Sequence, residues 1–546
     1  MAEKTMADTK TTTEPYQDEE QGSLHASEYA GPSRGHGELE VIAMRERIPV
    51  LRKLRTVEAW LDKKLGIETT GADRVPEGER RPPSIFNVSK SHTYIDFCDS
   101  IYQQNAAEQM IFFWFSMLIS PGTITSGLLG PIYGLSVNDS IIITVFASAI
   151  GSVVPAFTAT LCAQTGLRQI AASRFAFGIW GSKICGFLNI VVNLGFGTVA
   201  CIVAGELISP VSGGKVTIVA GIIILCATSY AISFIGFRFI HHYEQVAWTL
   251  VLVLMCVEYG QTAKYFSPTP GLSYSSGADR TGAALSYFAL IFGTSAAWCS
   301  MSGDYYVHYP ADISKWLVFG MTWVGLTIPT SFMIVLGNLL GGVLLTNQKM
   351  SDVYNQGGIG ALILATMSPL GFSKFVCIIY TLSMVASLTA IYYSSSLSIQ
   401  LWGKHFMAVP RFIWNSLLAG ISLALAWGGR EHLLAILTNF LSLLGYWTIC
   451  FGTVLAFETF WFRPRNGGYD LEGWQDQDRM PLGIAACVSL ALGIGASFLG
   501  MNQTWFIGPA AKAIGQGGDL GNYFTLVAVC LSYPFLRHWE IKLSGR

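Results

Sequence analysis

The chain has 546 residues, 51% of them hydrophobic and 13% charged, with a formal net charge of -1. A soluble protein carries about a quarter charged residues, so half that fraction, with long uncharged runs, marks a polytopic membrane protein. The near-neutral balance argues against a nucleic-acid partner, and 11 Cys without a CxxC pair argue against a disulfide framework or a metal site.

Residues 1–100 read as a polar tail that lacks the apolar core of a signal peptide. Its first 45 residues have the composition of a disordered segment. Between Pro49 and Leu65, the residues Leu51, Leu54, Val57, Trp60, Leu61 and Leu65 recur at helical spacing with basic residues between them. That pattern predicts an amphipathic helix over about 49–65. Pro76, Pro82 and Pro83 then predict an extended linker.

Twelve stretches from Glu108 onward approach the roughly 20 residues that a bilayer requires. They cover 108–132, 139–162, 184–209, 214–236, 244–263, 281–302, 316–345, 372–400, 410–428, 432–461, 481–501 and 519–536. An even count places both termini on one side. Loops on that side, with Arg168, Arg174, Arg463, Arg465 and Arg479 among them, hold more Lys and Arg than the opposite loops, and the two ends of the chain add to the excess. Both termini are therefore expected in the cytosol. The organisation that follows is a cytosolic tail (1–100), a core of helices one to ten (101–463), and a cytosolic loop, helices eleven and twelve and a short cytosolic C-terminus (464–546).

Two stretches carry helix breakers in mid-span. The first has Pro121-Gly122, then Gly127 and Gly130; the sixth, Ser286–Pro310, is expected to break at Gly293-Thr294-Ser295. Interrupted membrane helices are tolerated where they line a protein cavity, and they often hold a transporter's substrate. Breaks five spans apart suggest a five-plus-five inverted repeat with two helices appended. The histidines are scattered, and no HExxH, nucleophile elbow or P-loop occurs. No catalytic residue, cofactor or metal is expected.

Several long stretches resemble the fungal purine–cytosine permeases, a branch of the nucleobase:cation symporter family. They include GLRQIAASRFAFGIWGSKI (Gly166–Ile184), FGTSAAWCSMSGDYYVHYPADIS (Phe292–Ser314), NFLSLLGYW (Asn439–Trp447) and GMNQTWFIGPAAKAIGQGGDLG (Gly500–Gly521). The resemblance runs from about residue 60 to the end. It implies an all-α fold of twelve transmembrane helices with the five-plus-five repeat, and proton-coupled uptake of nucleobases across the plasma membrane.

The resemblance also implies a pocket in which aromatics of the third and sixth segments sandwich a flat ring. These fall on Phe196 and Trp298. Gly293 and Thr294 would supply the backbone break beside the ring. The family's amide readers fall on Ala200 and on Ser387, Leu388, Ala390 and Ile391. A polar ring edge left unpaired costs roughly 1–3 kcal/mol per group. The expected ligand is accordingly a planar heterocycle less polar at its edge or read by hydroxyls such as Thr123, Ser126, Ser387 and Thr389. Alternatives are another small heterocycle such as vitamin B6, a specialised fungal metabolite, or a receptor that binds without transporting.

Intramembrane acids are few: Glu108, Glu206, Glu258 and Glu458 all lie near span ends, with Arg463 a plausible partner for Glu458. The resemblance implies protons as the coupling ion. Sodium, through hydroxyls such as Thr123 and Thr389, is the less favoured reading, and Asp304 is a weak third candidate.

Overall fold

The computed structural model describes residues 47–53, 73–80, 110–235, 237–266 and 277–546. Most of the amphipathic helix expected at 49–65, together with Glu108, Pro82 and Pro83, lies outside these residues; only 49–53 of that helix is described, and it is helical. Among the described residues the secondary structure is helical, apart from one isolated bridge between Asn502 and Ile507.

The principal helices are α1 (Met110–Leu118), α2 (Pro121–Ile132), α3 (Val137–Thr165), α4 (Arg174–Val211), α5 (Ile218–Ile235), α6 (Phe237–Thr262), α7 (Gly277–Ala296), α8 (Lys315–Thr346), α9 (Gln348–Thr366), α10 (Leu370–Gln400), α11 (Arg411–Gly429), α12 (Leu433–Phe457), α13 (Ile484–Gly500) and α14 (Gly521–Ser544). A helix occupies each of the twelve expected stretches. Among the described residues seven are long and apolar enough to cross a membrane, or eight if the bent pair α1–α2 is one span. Exposed side chains such as Ile142, Phe146, Val253 and Leu531 give the bundle the apolar exterior that lipid requires.

Local chemistry explains both interruptions. Ser120 precedes Pro121 and takes an extended conformation (φ -139°, ψ 140°), because the proline ring disfavours the helical region there. Pro121 then opens α2, where its missing N–H costs nothing, and the axis turns by 63° between α1 and α2. The sixth stretch differs from the sequence expectation. Helix α7 continues through Gly293, Thr294 and Ser295 to Ala296, and passes into tight turns at Ala297–Ser300 and Ser302–Tyr305 around a non-helical Met301 (φ -138°, ψ -13°). Gly293 serves close packing instead: a Cβ there would stand 2.0 Å from the Leu441 carbonyl oxygen of α12.

Small residues set the other contacts that hold the site. Gly127 of α2 and Gly337 of α8 meet backbone to backbone; a Cβ on either would lie 2.1 or 2.0 Å from a carbonyl oxygen of the other helix. Helix α4 packs on α10, where Asn189 Nδ2 donates to Ser398 Oγ (2.9 Å). At the far end of α12, Glu458 is fully buried beside Arg463 (2.9 Å) and Arg537 of α14 (3.1 Å), which confirms Arg463 as a neighbour and adds a second cation.

Two segments read as loop or linker are structured. Helix α9, within what reads as the loop after the seventh stretch, lies against α4. Its kink at Gly358 (φ 66°) lets the Ile359 N–H donate to Glu206 Oε2 (3.1 Å). Residues 73–80 dock on the end of α3: buried Arg80 donates to the Val75 (2.9 Å) and Thr165 (2.8 Å) carbonyls, and the Val75 N–H donates to Gly166 (3.0 Å).

Candidate functional site

The two interruptions meet at one cavity lined mostly by apolar side chains. From the first break come Met117, Leu118, Ser120, Gly122, Thr123 and Ser126. From the end of α7 come Thr294, Ala297, Trp298 and Met301. Helix α4 supplies Val192, Asn193, Phe196, Val199 and Ala200; α10 supplies Met384, Ser387 and Ile391; Thr330 of α8 and Leu437 of α12 complete the wall. The α4 residues recur every three or four positions, so they form one stripe along that helix.

Each aromatic is braced from behind. Trp298 meets fully buried Trp114 edge to face, with centroids 5.6 Å apart at 85°. Trp114 is in turn fixed by its Nε1–H, which donates to the Tyr306 hydroxyl (3.2 Å), itself bonded to Thr322 (2.6 Å). Phe196 meets Phe440 edge to face at 5.6 Å and 78°. Edge-to-face pairs of this kind fix ring orientation. Trp298 and Phe196 thus present preset surfaces from different helices.

The structure brings together Trp298, Phe196, Ala200, Thr123, Ser126, Thr294 and Ser387 of the expected residues. Gly293, Leu388 and Thr389 are absent from the lining. Gly293 is pressed against α12. Leu388 is buried toward Gly197 of α4, and Thr389 donates to the Val385 (2.8 Å) and Ser229 (3.3 Å) carbonyls on the side facing α5. Asp304 is outside the lining, and it accepts hydrogen bonds from the Gln169 backbone and Ser394. Asn439 is also outside the lining and bridges distant segments, accepting from the Thr504 N–H (3.2 Å) and hydroxyl (2.8 Å).

Sequence reasoning passed over Asn193. It lies three residues before Phe196 and seven before Ala200, so helical periodicity alone puts all three on one face. Other lining residues it missed, Met117, Met301, Met384 and Leu437 among them, carry no signal that separates a cavity wall from ordinary core.

A family model described as permease for cytosine/purines, uracil, thiamine, allantoin matches residues 103–514. The chain belongs to this permease family. It is a multi-pass membrane transporter and not an enzyme. Purine-cytosine permease fcyB of Emericella nidulans is 29% identical over 489 residues, spanning 89% of this chain and 91% of its own. Vitamin B6 transporter TPN1 of Saccharomyces cerevisiae is 27% identical over 552 residues, spanning 91% and 92%. The nucleobase-cation-symport-1 family transporter Mhp1, solved closed with bromovinylhydantoin bound, matches with a TM-score of 0.59 at 15% identity, covering 80% of this chain and 93% of its own. That likeness is one of fold, and it places this permease among transporters of the same architecture.

Proposed function

We propose that this permease is a proton-coupled symporter that imports a nucleobase-like planar heterocycle across the plasma membrane. One observation carries the reading: both helix interruptions open onto a single mostly apolar cavity whose walls include Phe196 and Trp298. A flat ring offers two π-faces to such walls, and its buried edge needs polar partners. Ala200, Thr123, Ser126, Thr294 and Ser387 surround the ring, with Gly293, Leu388 and Thr389 supporting the helices behind it.

Twelve spans with a five-plus-five inverted repeat organise the chain, residues 101–463 forming the core, and both termini are cytosolic. Support for the repeat comes from interruptions in the first and sixth spans, five apart. Purine and cytosine are the cargo in the names of the relatives fcyB, FCY21 and FCY2, and vitamin B6 in that of TPN1. A pyridine ring therefore stays in the test as the second heterocycle.

The test is uptake in cells lacking their own nucleobase permeases, using labelled cytosine, adenine, hypoxanthine, uracil and pyridoxine, with and without a proton uncoupler. Concentrative uptake of at least one ring, abolished by the uncoupler and reduced by Trp298→Ala, is expected. Binding without accumulation would point to a receptor, and uptake that follows sodium and ignores the uncoupler would overturn proton coupling.

A further inference from the structure

We infer that Asn193 reads the edge of the bound ring, and that the ligand is a neutral heterocycle presenting a donor beside an acceptor, as a lactam or amidine does. The inference rests on the proposed function in one respect, that the cavity holds a flat ring.

Asn193 lines the cavity and is only 1% exposed, yet neither Nδ2 nor Oδ1 has a hydrogen-bond partner among the described residues. An asparagine amide offers two donors and an acceptor. Leaving such groups unpaired in a buried site is costly, and native proteins rarely do so without a reason. One turn earlier on the same helix, Asn189 shows the ordinary alternative. Its Nδ2 donates to Ser398 Oγ and its Oδ1 accepts from Ser300 Oγ at 2.6 Å, so its amide is committed to helix contacts. The two amides differ in their partners: Asn189 is bonded to Ser398 and Ser300, whereas Asn193, a residue of the cavity lining, has no such partner among the described residues.

The rest of the lining narrows the chemistry. Asn193 is the one amide among the lining residues, and none of them is charged. An ionic ligand would therefore be desolvated without a counter-charge, which is prohibitive. The hydroxyls of Thr123 and Thr294 donate to the Leu118 (3.4 Å) and Leu290 (2.9 Å) carbonyls, so their protons are already committed. Ser120, Ser126, Thr330 and Ser387 offer single hydroxyls, so Asn193 is the lining side chain that sets a donor beside a separate acceptor. A cis-amide edge satisfies it in both directions: Nδ2–H donates to the ring carbonyl while Oδ1 accepts the adjacent ring N–H. Methylating that ring nitrogen removes one bond and crowds the other.

The test uses the full chain in lipid nanodiscs and reads ligand binding by quenching of tryptophan fluorescence. Two matched pairs serve as probes: 2-pyridone with N-methyl-2-pyridone, and uracil with 1,3-dimethyluracil, each methylated partner having lost every ring N–H. In the wild type at least one lactam should bind about ten- to a hundredfold tighter than its methylated partner, the worth of one or two satisfied buried hydrogen bonds. Asn193→Leu should bring the two within about twofold by weakening the lactam alone. Unchanged binding of the methylated ring then shows that the variant is folded. Equal wild-type affinity within every pair overturns the inference, as does discrimination that survives Asn193→Leu; in both cases the proposed function stands. Failure of every ring to bind the wild type overturns the proposed function, and this inference with it.

Discussion

The Asp304 carboxylate and the Gln169 side chain hold each other's backbone. Asp304 Oδ1 accepts the Gln169 N–H at 2.7 Å, and Gln169 Oε1 accepts the Gly303 N–H at 3.2 Å. The exchange resembles a capping box spread over two distant segments. It locks the turns after α7 to the short helix Gln169–Ala172 that follows α3, and Ser394 of α10 joins by donating to Asp304 Oδ2 (3.4 Å).

Asp304→Ala should therefore lower stability by about 1–2 kcal/mol, the usual cost of losing a cap, read as a fall in melting temperature in detergent. Asp304→Asn keeps an acceptor and should retain both most of the stability and concentrative uptake. Loss of concentrative uptake in Asp304→Asn, at normal surface expression, would show that the carboxylate's charge has a role in coupling.

Trp298 is held by Trp114, and Trp114 by Tyr306. We expect Trp298→Ala to weaken ring binding about tenfold, and Trp298→Phe to weaken it less, since an aromatic pair contributes about 0.5–1.5 kcal/mol beyond its area. Tyr306→Phe removes the bond that fixes Trp114 without touching the cavity. It should weaken binding by a smaller factor, and titration of fluorescence quenching with all three variants ranks them.

Gly127 and Gly337 let α2 and α8 meet backbone to backbone. Neither tolerates a side chain unless the helices separate. Gly127→Val or Gly337→Val should cost about 3 kcal/mol or more, the upper end for overpacking, and should abolish a monodisperse peak in fluorescence-detected size exclusion. Gly260, with nothing near its missing Cβ, is the control, and Gly260→Ala should behave as wild type.

Glu458 is buried between Arg463 and Arg537, and the Tyr533 hydroxyl donates to it at 2.8 Å. Breaking a buried pair from one side costs about 3–5 kcal/mol because the remaining charge is stranded. Arg537→Met should fall toward the low end of that range, since Arg463 remains. Adding Glu540→Gln, which removes the buried carboxylate that Arg537 otherwise pairs at 3.2 Å, should recover part of the loss. The comparison is a double-mutant cycle of melting temperatures.

The helices were legible because their apolar runs are long and their polar loops short. The first interruption was legible because proline restricts its predecessor, and Ser120 is extended for that reason. The sixth was misplaced by several residues. Gly293 looks like a breaker but serves close approach to α12, while the turns begin at Ala297 with no proline or glycine to mark them. Helix α9 was hidden by Gly357-Gly358, which reads as loop but acts as a kink. Phe196, Trp298 and Ser387 were found through resemblance, and that same pattern drew attention away from Asn193. Periodicity could have found it, but only once Phe196 was known to face a cavity. In a bilayer an apolar residue is equally at home facing lipid, core or substrate, so pattern alone does not choose among them.

Phe196 sits midway along α4, beyond that helix's Gly178 kink, whereas Trp298 rides on the turns at the unwound end of α7. If, as proposed, the two rings hold the substrate between them, one wall stands on a continuous helix and the other on turns that Asp304 and Gln169 pin, and a gap preset in this way would admit a flat ring more readily than its saturated, puckered counterpart.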